Sequence, residues 1–330
     1  MAFNIRLLLT SGDPDGIGWE VSVKALNQLG PQTGVQFFLF RQSGTTLRRP
    51  ALSRAFRRVT VRSLAEAENV KFDPRLLVEV LSKDSPAHWV ESAAKACLSG
   101  RFQGLVTAPL SKTSIIEAGF KDIGHTEILA RVCGISDLFM GFIGRKFSVL
   151  LATGHQPLRR ALADLSPARL TKAFCAAERL RSVLPRAKRG RPLALVGVNP
   201  HAGEEGLLGD EEDHFRDVLA NLRWGEDQVI GPLVPDAAFL PKFWTRFSVY
   251  VCPYHDQGLI PFKLVHGFKA GVHLTLGLPF VRTSVDHGTA KDLFGKNKAE
   301  SGSMRDALLT AIRLCKEKKH EDLAGHFPRV

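Results

Sequence analysis

The sequence predicts an α/β protein, and two observations support that class. Short apolar runs of strand length alternate with amphipathic segments of helix length along the chain of 330 residues. Many of the apolar runs end in turns that contain glycine or proline, as strands do when a helix follows. A hydrophobic content of 44% with 24% charged residues indicates a substantial core, and the length fits one large domain or two ordinary ones.

The predicted elements begin with a strand at 5–10, a glycine-rich turn at 11–18 and a helix that ends near residue 29. Such a turn gathers backbone N–H groups that suit an anionic group, although its glycines lack the spacing of the dinucleotide fingerprint. The arginine-rich stretch from 41 to about 80 shows no clear period. Further strands are predicted at 35–40, 104–109, 138–143, 147–152, 193–198 and 247–252, and further helices at 86–98, 128–132, 167–183, 210–222 and 302–318.

The net charge of +12 and five scattered cysteines narrow the function classes. The basic residues fall partly in separate runs at 54–62, 179–191 and 316–319, without the interleaved aromatic side chains that stack on bases. A nucleic-acid-binding protein is therefore the weaker alternative to a basic surface that attracts an anionic substrate. The cysteines form no Cys-x-x-Cys pair and no apolar run approaches the roughly 18 residues of a membrane span, so we expect a cytoplasmic protein.

Three histidines each follow a predicted strand, at His155, His201 and His255. The ends of neighbouring strands meet at one edge of a sheet, where α/β proteins bind their ligands. Three neutral imidazoles suit zinc, cobalt or nickel, and they hold manganese or magnesium less tightly. A spacing of about fifty residues carries no metal signature by itself, so each histidine alone is also compatible with an ordinary turn.

The segment 254–263 follows a buried strand and concentrates polar side chains. We interpret it as a loop in which His255 binds a metal ion and Asp256 orients the imidazole. Lys263 supplies a positive charge for a phosphate or takes up a proton. Asp236, in the loop before that strand, is the other candidate for the base, and the sequence does not decide between the two.

Six motifs run in order from about residue 8 to about residue 304. They are Gly12-Asp-Pro-Asp-Gly-Ile-Gly, Val106-Thr-Ala-Pro109, Gly124-His-Thr-Glu127, Asn199-Pro-His-Ala-Gly203, Tyr254-His-Asp-Gln-Gly258 and Leu276-Gly-Leu-Pro-Phe-Val-Arg-Thr-Ser-Val-Asp-His-Gly-Thr289. In sequence, order and spacing this series resembles the motifs of the 4-hydroxythreonine-4-phosphate dehydrogenase family.

The resemblance implies an isocitrate/isopropylmalate dehydrogenase-like fold of two α/β domains with the active-site cleft between them. Residues 1–120 with 260–330 would form the cofactor-side domain, and residues 121–259 the metal and dimer side. The family resemblance further implies a homodimer whose active site is shared across the interface. It implies NAD or NADP as hydride acceptor and one divalent ion, Zn, Mg, Co or Mn.

The resemblance also assigns roles to individual residues. The metal ligands carry over to His155, His201 and His255, with one ligand expected from the partner subunit. Substrate contacts carry over to His125, Thr126, Lys263, His273 and Arg282. The turn that holds the adenosine of the cofactor carries over to Asp286, His287, Gly288 and Thr289.

The implied reaction is the oxidation of 4-hydroxythreonine 4-phosphate with decarboxylation to 3-amino-2-oxopropyl phosphate, a step of vitamin B6 biosynthesis. His273 stands where the family usually has asparagine, and Trp19, Asp15 and Ser111 also depart from its pattern. The exchange at His273 keeps a second substrate open, threonate or erythronate 4-phosphate, which lack the amino group. A metal-dependent phosphoester hydrolase is the more distant alternative, because three histidines also activate water on a metal.

Overall fold

The structure is a computed structural model that describes residues 4–44, 50–222, 228–267 and 270–318. The strands of these ranges are β1 Ile5–Thr10, β2 Val35–Gln42, β3 Arg57–Val61, β4 Leu76–Ser82, β5 Gly104–Thr107, β6 Phe139–Ile143, β7 Ser148–Leu151, β8 Leu193–Val196, β9 Val229–Leu233, β10 Tyr250–Cys252, β11 Val272–Leu276 and β12 Val281–Val285. The helices are α1 Gly18–Leu29, α2 Leu64–Glu68, α3 Pro86–Leu98, α4 Lys112–Glu117, α5 His125–Cys133, α6 Leu158–Ala163, α7 Pro167–Ser182, α8 Arg186–Arg189, α9 Glu211–Asn221, α10 Pro235–Ala238, α11 His255–His266 and α12 Gly302–Lys318. Within the same ranges, none of the helices combines the length and the apolar character that a bilayer crossing requires.

The chain divides into two compact units. Unit 1 contains the described residues up to 138 and again from 270 to 318, and unit 2 contains residues 139–267. Helix α5 belongs to unit 1 because it packs against α3, and α11 belongs to unit 2 because it packs against β7 and β10. Boundaries at 120 and 260, as expected from the family resemblance, place α5 in the other domain and divide α11.

Unit 1 is built on strands in the order β3-β4-β2-β1-β5-β12-β11. All neighbours except β11 and β12 run parallel. The central strands β1 and β2 are almost continuously apolar and buried, as expected for parallel strands that are covered on both faces. Aromatic side chains fill the space between sheet and helices, with Phe38 edge-on to Phe102 at 5.0 Å and Phe40 stacked on Trp89 at 6.0 Å.

The stretch from 41 to 80, in which the sequence showed no period, contains β3, α2 and β4. Strand β3 lies at the edge of the unit 1 sheet, and its residues are mostly exposed. An edge strand needs no apolar face, so charged residues such as Arg57 and Arg58 are tolerated there. The hydrophobic alternation that identifies a strand in a sequence is therefore missing.

Unit 2 has the strand order β6-β7-β10-β8-β9, in which only β6 and β7 are antiparallel. Phe147 lies in the middle of its aromatic core. The Phe147 ring contacts those of Tyr250 at 5.6 Å and Phe262 at 6.0 Å. Helix α11 is held on the sheet by this core, because Phe262 and Leu259 are its buried side chains.

The prediction that 254–263 is a loop was wrong, because His255 is the first residue of α11. The apolar positions of the segment, Leu259 and Phe262, have helical spacing, but the nearby Gly258 and Pro261 obscure it in the sequence. Gly258 is needed where α11 crosses the strands, since a Cβ atom there would lie 2.8 Å from the Leu151 side chain and 3.0 Å from Cys252 Sγ. Pro261 is the seventh residue of the helix, so it lies inside α11 and has no N–H to donate to the Gln257 carbonyl oxygen.

Candidate active site

Five polar side chains lie on one face of three neighbouring strands in unit 1. The register pairs His273 of β11 with Ser284 of β12, and Ser284 with Thr107 of β5. Side chains alternate along a strand, so Thr275 and Arg282 point to the same side as these three. All five residues are buried. We call this set, Thr107, His273, Thr275, Arg282 and Ser284, the polar face.

Arg282 is the centre of the polar face. Its Nη1 atom donates to Thr275 Oγ1 at 2.9 Å and lies 3.2 Å from His273 Nδ1. Its Nη2 atom donates to Thr107 Oγ1 at 2.6 Å. Three neighbours therefore fix the plane of the guanidinium before any ligand arrives.

The charge of Arg282 is buried without a carboxylate partner. No carboxylate of the described residues lies within 4.0 Å of its nitrogens, and its Nε atom is buried with no hydrogen-bond partner among them. Burial lowers the pKa of Arg282 to about 9, while the more distant Glu127 carboxylate acts in the opposite direction. A buried cation of this kind is stabilised by an anion that enters the site.

His125 and Thr126 stand at the start of α5 in the same unit. The His125 Nε2 atom is buried and, among the described residues, has no hydrogen-bond partner. Burial and, to a smaller extent, the positive charge of Arg282 lower the pKa of His125 to about 3. His125 is therefore a neutral ring close to the buried cation Arg282. The Nε2 atom of His125 and the Nε atom of Arg282 are both available to a ligand.

The predicted cofactor turn, Asp286 to Thr289, follows β12 directly. Asp286 is buried and its backbone N–H donates to Ser303 Oγ at 3.2 Å. His287 Nδ1 donates to the Gly288 carbonyl oxygen at 3.0 Å. The Thr289 carbonyl oxygen accepts from the Ile17 N–H at 3.0 Å, which ties the turn to the glycine-rich segment before α1.

The glycine-rich segment is shaped by close packing. A Cβ atom at Gly12, whose φ is +68°, would lie 2.0 Å from the Pro109 carbonyl oxygen. The buried Asp13 carboxylate accepts from the Ser111 N–H at 3.0 Å, and its Oδ1 atom has no hydrogen-bond partner in the described part of the chain. Lys291, just after the cofactor turn, donates to Asp15 at 2.8 Å. Sequence reasoning did not assign Asp13 or Lys291 to the site.

In unit 2 the three histidines follow β7, β8 and β10, which are neighbours in the order β7-β10-β8. Strands β7 and β10 are joined beyond their ends by two further bonds. The Ala152 N–H donates to the Cys252 carbonyl oxygen at 2.8 Å, and Thr153 Oγ1 donates to the Pro253 carbonyl oxygen at 2.7 Å. The segments that carry His155 and His255 are therefore held side by side.

His155 and His255 form a pair whose ring centres are 4.8 Å apart. His255 Nδ1 lies 2.8 Å from Asp256 Oδ1, so the carboxylate accepts the Nδ1 hydrogen and leaves Nε2 as the ligand atom. This contact is the one that the orienting role expected of Asp256 requires. A bound ion is compatible with this donor set, since a metal-ligating histidine commonly gives its second nitrogen to a carboxylate.

His201 is not gathered with that pair into a three-ligand group; no such group exists among the described residues. Its side chain is 71% exposed and lies 3.6 Å from Glu204. The segment Pro200–Gly206 has positive φ angles from His201 to Glu205, a conformation that costs energy for residues other than glycine. The buried carboxylate of Glu212 anchors the segment by accepting from the N–H groups of Val198 and Asn199.

The two candidate bases lie on helices of unit 2. Asp236 is an exposed residue in the first turn of α10, and its carboxylate has no hydrogen bond or ion pair with the described residues. Lys263 is exposed on α11, eight residues and roughly 12 Å along the helix from His255.

Thr107, Thr275 and Ser284 were missed by sequence reasoning, although each contacts Arg282 or His273. The signal that could have found them is the strand period. Thr275 stands two residues from His273, and Ser284 two residues from Arg282. Only the register between strands shows that these pairs and Thr107 share one face.

Comparisons with known proteins agree with this architecture. The family model described as pyridoxal phosphate biosynthetic protein PdxA matches residues 63–311. A 4-hydroxythreonine-4-phosphate dehydrogenase of Geobacter metallireducens is 35% identical, with 95% of this chain and 96% of that relative covered. A D-threonate 4-phosphate dehydrogenase of Salmonella typhimurium is also 35% identical, with 93% and 98% covered.

Solved structures give the same result for the fold. The structure of a 4-hydroxythreonine-4-phosphate dehydrogenase from Klebsiella pneumoniae has a TM-score of 0.74 and 31% identity, over 94% of this chain and 100% of that one. An isocitrate dehydrogenase from Methylococcus capsulatus, at 13% identity, has a TM-score of 0.51 over 97% of this chain and 86% of that one, which supports the fold alone.

The relatives define the chain as a dehydrogenase that acts on a CH–OH group, and its fold is similar to that of the isocitrate dehydrogenase. Within that class the chain belongs to the PdxA family. The fold class and the family that the sequence predicted are thereby confirmed.

Proposed function

We propose that the chain oxidises the secondary alcohol of a phosphorylated four-carbon acid with NAD, and that 4-hydroxythreonine 4-phosphate is its substrate. The observation that carries the proposal is Arg282, a buried cation whose neighbours are neutral donors and whose Nε has no partner among the described residues. The buried charge of Arg282 requires an anionic partner, and a dianionic phosphate or a carboxylate can supply it. Curated relatives that share a third of the sequence bear the name of this activity.

The proposed reaction balances as an oxidation followed by a decarboxylation. The hydroxyl loses its proton to a base, and its carbon gives a hydride to the cofactor, which leaves a ketone. The carboxylate is then β to that ketone, so the C–C bond breaks, carbon dioxide departs and 3-amino-2-oxopropyl phosphate remains after protonation. Lys263 or Asp236 takes the hydroxyl proton; both are exposed, and their position favours neither.

In the anion site, Arg282 and His125 have complementary roles. Arg282 holds the anionic group through its Nε and the outer hydrogen of Nη2, since its other donors are occupied by Thr107, Thr275 and His273. His125, neutral at physiological pH, contributes a hydrogen bond without a second charge. Thr126 and His273 complete the proposed contacts of unit 1, and Lys263, on α11 of unit 2, is the further cation that the family resemblance implies.

His155 and His255 would hold a divalent ion, with His255 oriented by Asp256. Such an ion, when bound, lowers the pKa of the substrate hydroxyl and polarises the ketone. We propose that a second copy of the chain completes the ligand set with His201 in a homodimer. Two apolar side chains of α11, Ile260 and Leu264, are 67% and 83% exposed beside Lys263, which supports a covered face at that helix.

The turn Asp286–Thr289 would hold the cofactor. Its backbone is tied to the glycine-rich segment through Thr289 and Ile17, and Gly288 is exposed with open space around its Cα. The nicotinamide cofactor, when bound, accepts the hydride. We take NAD as the cofactor and NADP as the alternative.

A second candidate substrate is D-threonate 4-phosphate. One of the curated relatives, 35% identical over nearly its whole length, is named for that activity. This acid carries a hydroxyl where 4-hydroxythreonine 4-phosphate carries an ammonium group, and we propose that His273 is among the residues that respond to this difference.

The deciding experiment follows reduced nicotinamide by its absorbance while purified protein, freed of metal by a chelator and reloaded with a single defined ion, meets each acid with NAD or NADP. We expect reduction of the cofactor together with release of carbon dioxide, and loss of both in the chelated protein. His214→Asn, an exposed change on α9, is the matched control. Release of inorganic phosphate without cofactor reduction would instead indicate a phosphoester hydrolase.

A further inference from the structure

His273 has a protonation state that its neighbours fix. A guanidinium has hydrogens to donate and no acceptor. The Arg282 Nη1 atom, whose other hydrogen goes to Thr275, lies 3.2 Å from His273 Nδ1. The Nδ1 atom therefore presents its lone pair to Arg282, and the second ring nitrogen, Nε2, carries the hydrogen.

Ser284 is a neighbour that could favour the opposite tautomer. Its Oγ lies 3.0 Å from His273 Nδ1 and 3.2 Å from the Val285 carbonyl oxygen, which accepts the hydroxyl hydrogen. With the hydrogen on Nδ1, Ser284 would gain a donor, but two N–H groups would face each other at the Arg282 contact. The bond from the charged guanidinium is the stronger of the two, so Nδ1 remains unprotonated. For the same reason the ring is neutral.

Position 273 consequently has no acceptor to offer a substrate. An imidazole nitrogen has a single lone pair, and that of Nδ1 is directed at Arg282; Nε2 bears a hydrogen. An asparagine would differ, because its carbonyl oxygen has two lone pairs and can accept from Arg282 and from a ligand together.

We propose that His273 is a specificity-determining residue that disfavours an ammonium group and favours a hydroxyl at the substrate carbon next to the carboxylate. An ammonium group can only donate, whereas a hydroxyl can donate or accept. The proposal rests on the proposed function, in that the anion beside Arg282 is taken to be that of the substrate. Compared with asparagine at the same position, His273 shifts the preference of the site from amino-acid phosphates toward hydroxy-acid phosphates.

A turnover experiment compares kcat/KM for threonate 4-phosphate and 4-hydroxythreonine 4-phosphate in the wild type, in His273→Asn and in the exposed control His214→Asn. We expect His273→Asn to shift the ratio of the two values toward the amino acid by about tenfold, the effect of one charge-assisted hydrogen bond. The control should leave the ratio unchanged. Equal ratios in wild type and His273→Asn would overturn the proposal.

A binding experiment separates this proposal from the proposed function. Calorimetry without cofactor measures the affinity for 3-phosphoglycerate and for O-phosphoserine of the same configuration at the α-carbon, which differ only in a hydroxyl and an ammonium group. We expect His273→Asn to shift the ratio of the two affinities toward O-phosphoserine relative to the wild type, whether or not either acid is oxidised. If the shift is present but neither acid phosphate is oxidised by the wild type, the proposed function alone is contradicted. If the two proteins have equal affinity ratios, the role of His273 is contradicted.

The tautomer can be observed directly. Nitrogen-15 NMR of the histidine rings, with the His273 signals identified by their loss in His273→Asn, distinguishes a protonated from an unprotonated ring nitrogen. We expect an unprotonated Nδ1 and a protonated Nε2 across the neutral pH range. A hydrogen on Nδ1 would contradict the argument at its first step.

Discussion

Arg282 carries a positive charge into the interior of unit 1, with hydroxyl groups and an imidazole in place of its water. The bonds to Thr107 and Thr275 orient the guanidinium but do not neutralise it. A buried charge without a counter-charge is energetically unfavourable. An anion that binds beside Arg282 removes this cost, so the guanidinium favours anionic ligands strongly.

Replacing Arg282 by lysine tests that role. Lysine keeps the charge but is unable to make the three bonds and still present two donors to a ligand, because it lacks the planar fork. We expect Arg282→Lys to lower kcat/KM by about 100-fold, mainly through KM, which corresponds to roughly 2.7 kcal/mol. Steady-state kinetics measure the effect, and circular dichroism shows whether the fold is intact. A folded variant with wild-type KM would remove Arg282 from the site.

The pH dependence follows from the two shifted groups. Arg282, with its pKa lowered to about 9, is a cation below that pH and neutral above it. His125, with its pKa lowered to about 3, is already neutral from about pH 5 upward. We therefore expect kcat/KM to fall about tenfold per pH unit above pH 9, with no step from His125 near neutrality. Rates measured between about pH 6 and 10 check this, and a profile that stays flat to pH 10 would contradict it.

At the residue scale, motifs allowed His125, His273 and Arg282 to be chosen from the sequence, whereas Thr107 and Ser284 are identified only when the strand period is combined with the register between strands. A threonine or serine on a strand carries no signal of its own. Their importance depends on which strands are neighbours and in which register, and these are long-range properties that no local pattern contains.

At the scale of the element, α11 is the part of unit 2 that positions the most candidate residues. It begins with His255, carries Lys263 on its exposed side and ends with His266. His266 fastens its C-terminal end: Nδ1 donates to the Phe262 carbonyl oxygen at 2.9 Å, and Nε2 accepts from the Lys146 N–H at 3.1 Å. The ring lies on Gly144, where a Cβ atom would come within 2.5 Å of it.

Acid should weaken this fastening. Burial lowers the pKa of His266, and the nearby Lys188 and Lys146 lower it further, while its bond to Phe262 acts in the opposite direction. The unfolded chain protonates this histidine near pH 6.5, whereas the folded chain keeps it neutral to a lower pH. The contribution of His266 to the free energy of unfolding is therefore present above pH 6.5 and is lost as the pH falls below it. Thermal unfolding between about pH 7.5 and 5 should show a smaller loss of Tm in His266→Gln than in the wild type. An identical loss in both proteins would assign the acid sensitivity elsewhere.

Elements with a strong period were predictable, and α11 and β3 show why others were not. The helix 302–318 has apolar residues at regular helical intervals, and its predicted bounds coincide with α12. Strand β3 is an exposed edge and has no buried face to reveal it. Helix α11 contains glycine and proline for reasons that lie in its neighbours, so its local sequence suggests a loop.

At the scale of the whole molecule, the excess of 45 basic over 33 acidic residues bears on substrate capture. A field of this sign raises the rate at which a phosphorylated acid reaches the protein, and salt screens it with a Debye length of about 10 Å at 0.1 M.

Salt should therefore affect capture more than chemistry. Between about 20 mM and 500 mM sodium chloride we expect kcat/KM to fall by roughly threefold to tenfold while kcat changes little. Initial rates at low and saturating substrate separate the two quantities. A kcat/KM that is independent of salt would leave the charge without a role in substrate capture.

Strand β12 finds its partner β5 far back in the chain: the Arg282 and Thr107 side chains that meet there are 175 positions apart. While the ribosome makes all of unit 2, the edge of β5 that β12 will occupy stays open, for roughly 10 to 30 seconds at ordinary elongation speeds. Open strand edges pair with other chains. Chains that stop before residue 281 should consequently depend on chaperones to remain soluble. Synthesis of β12, the strand that contains Arg282, covers the open edge of β5 and so ends this risk of aggregation.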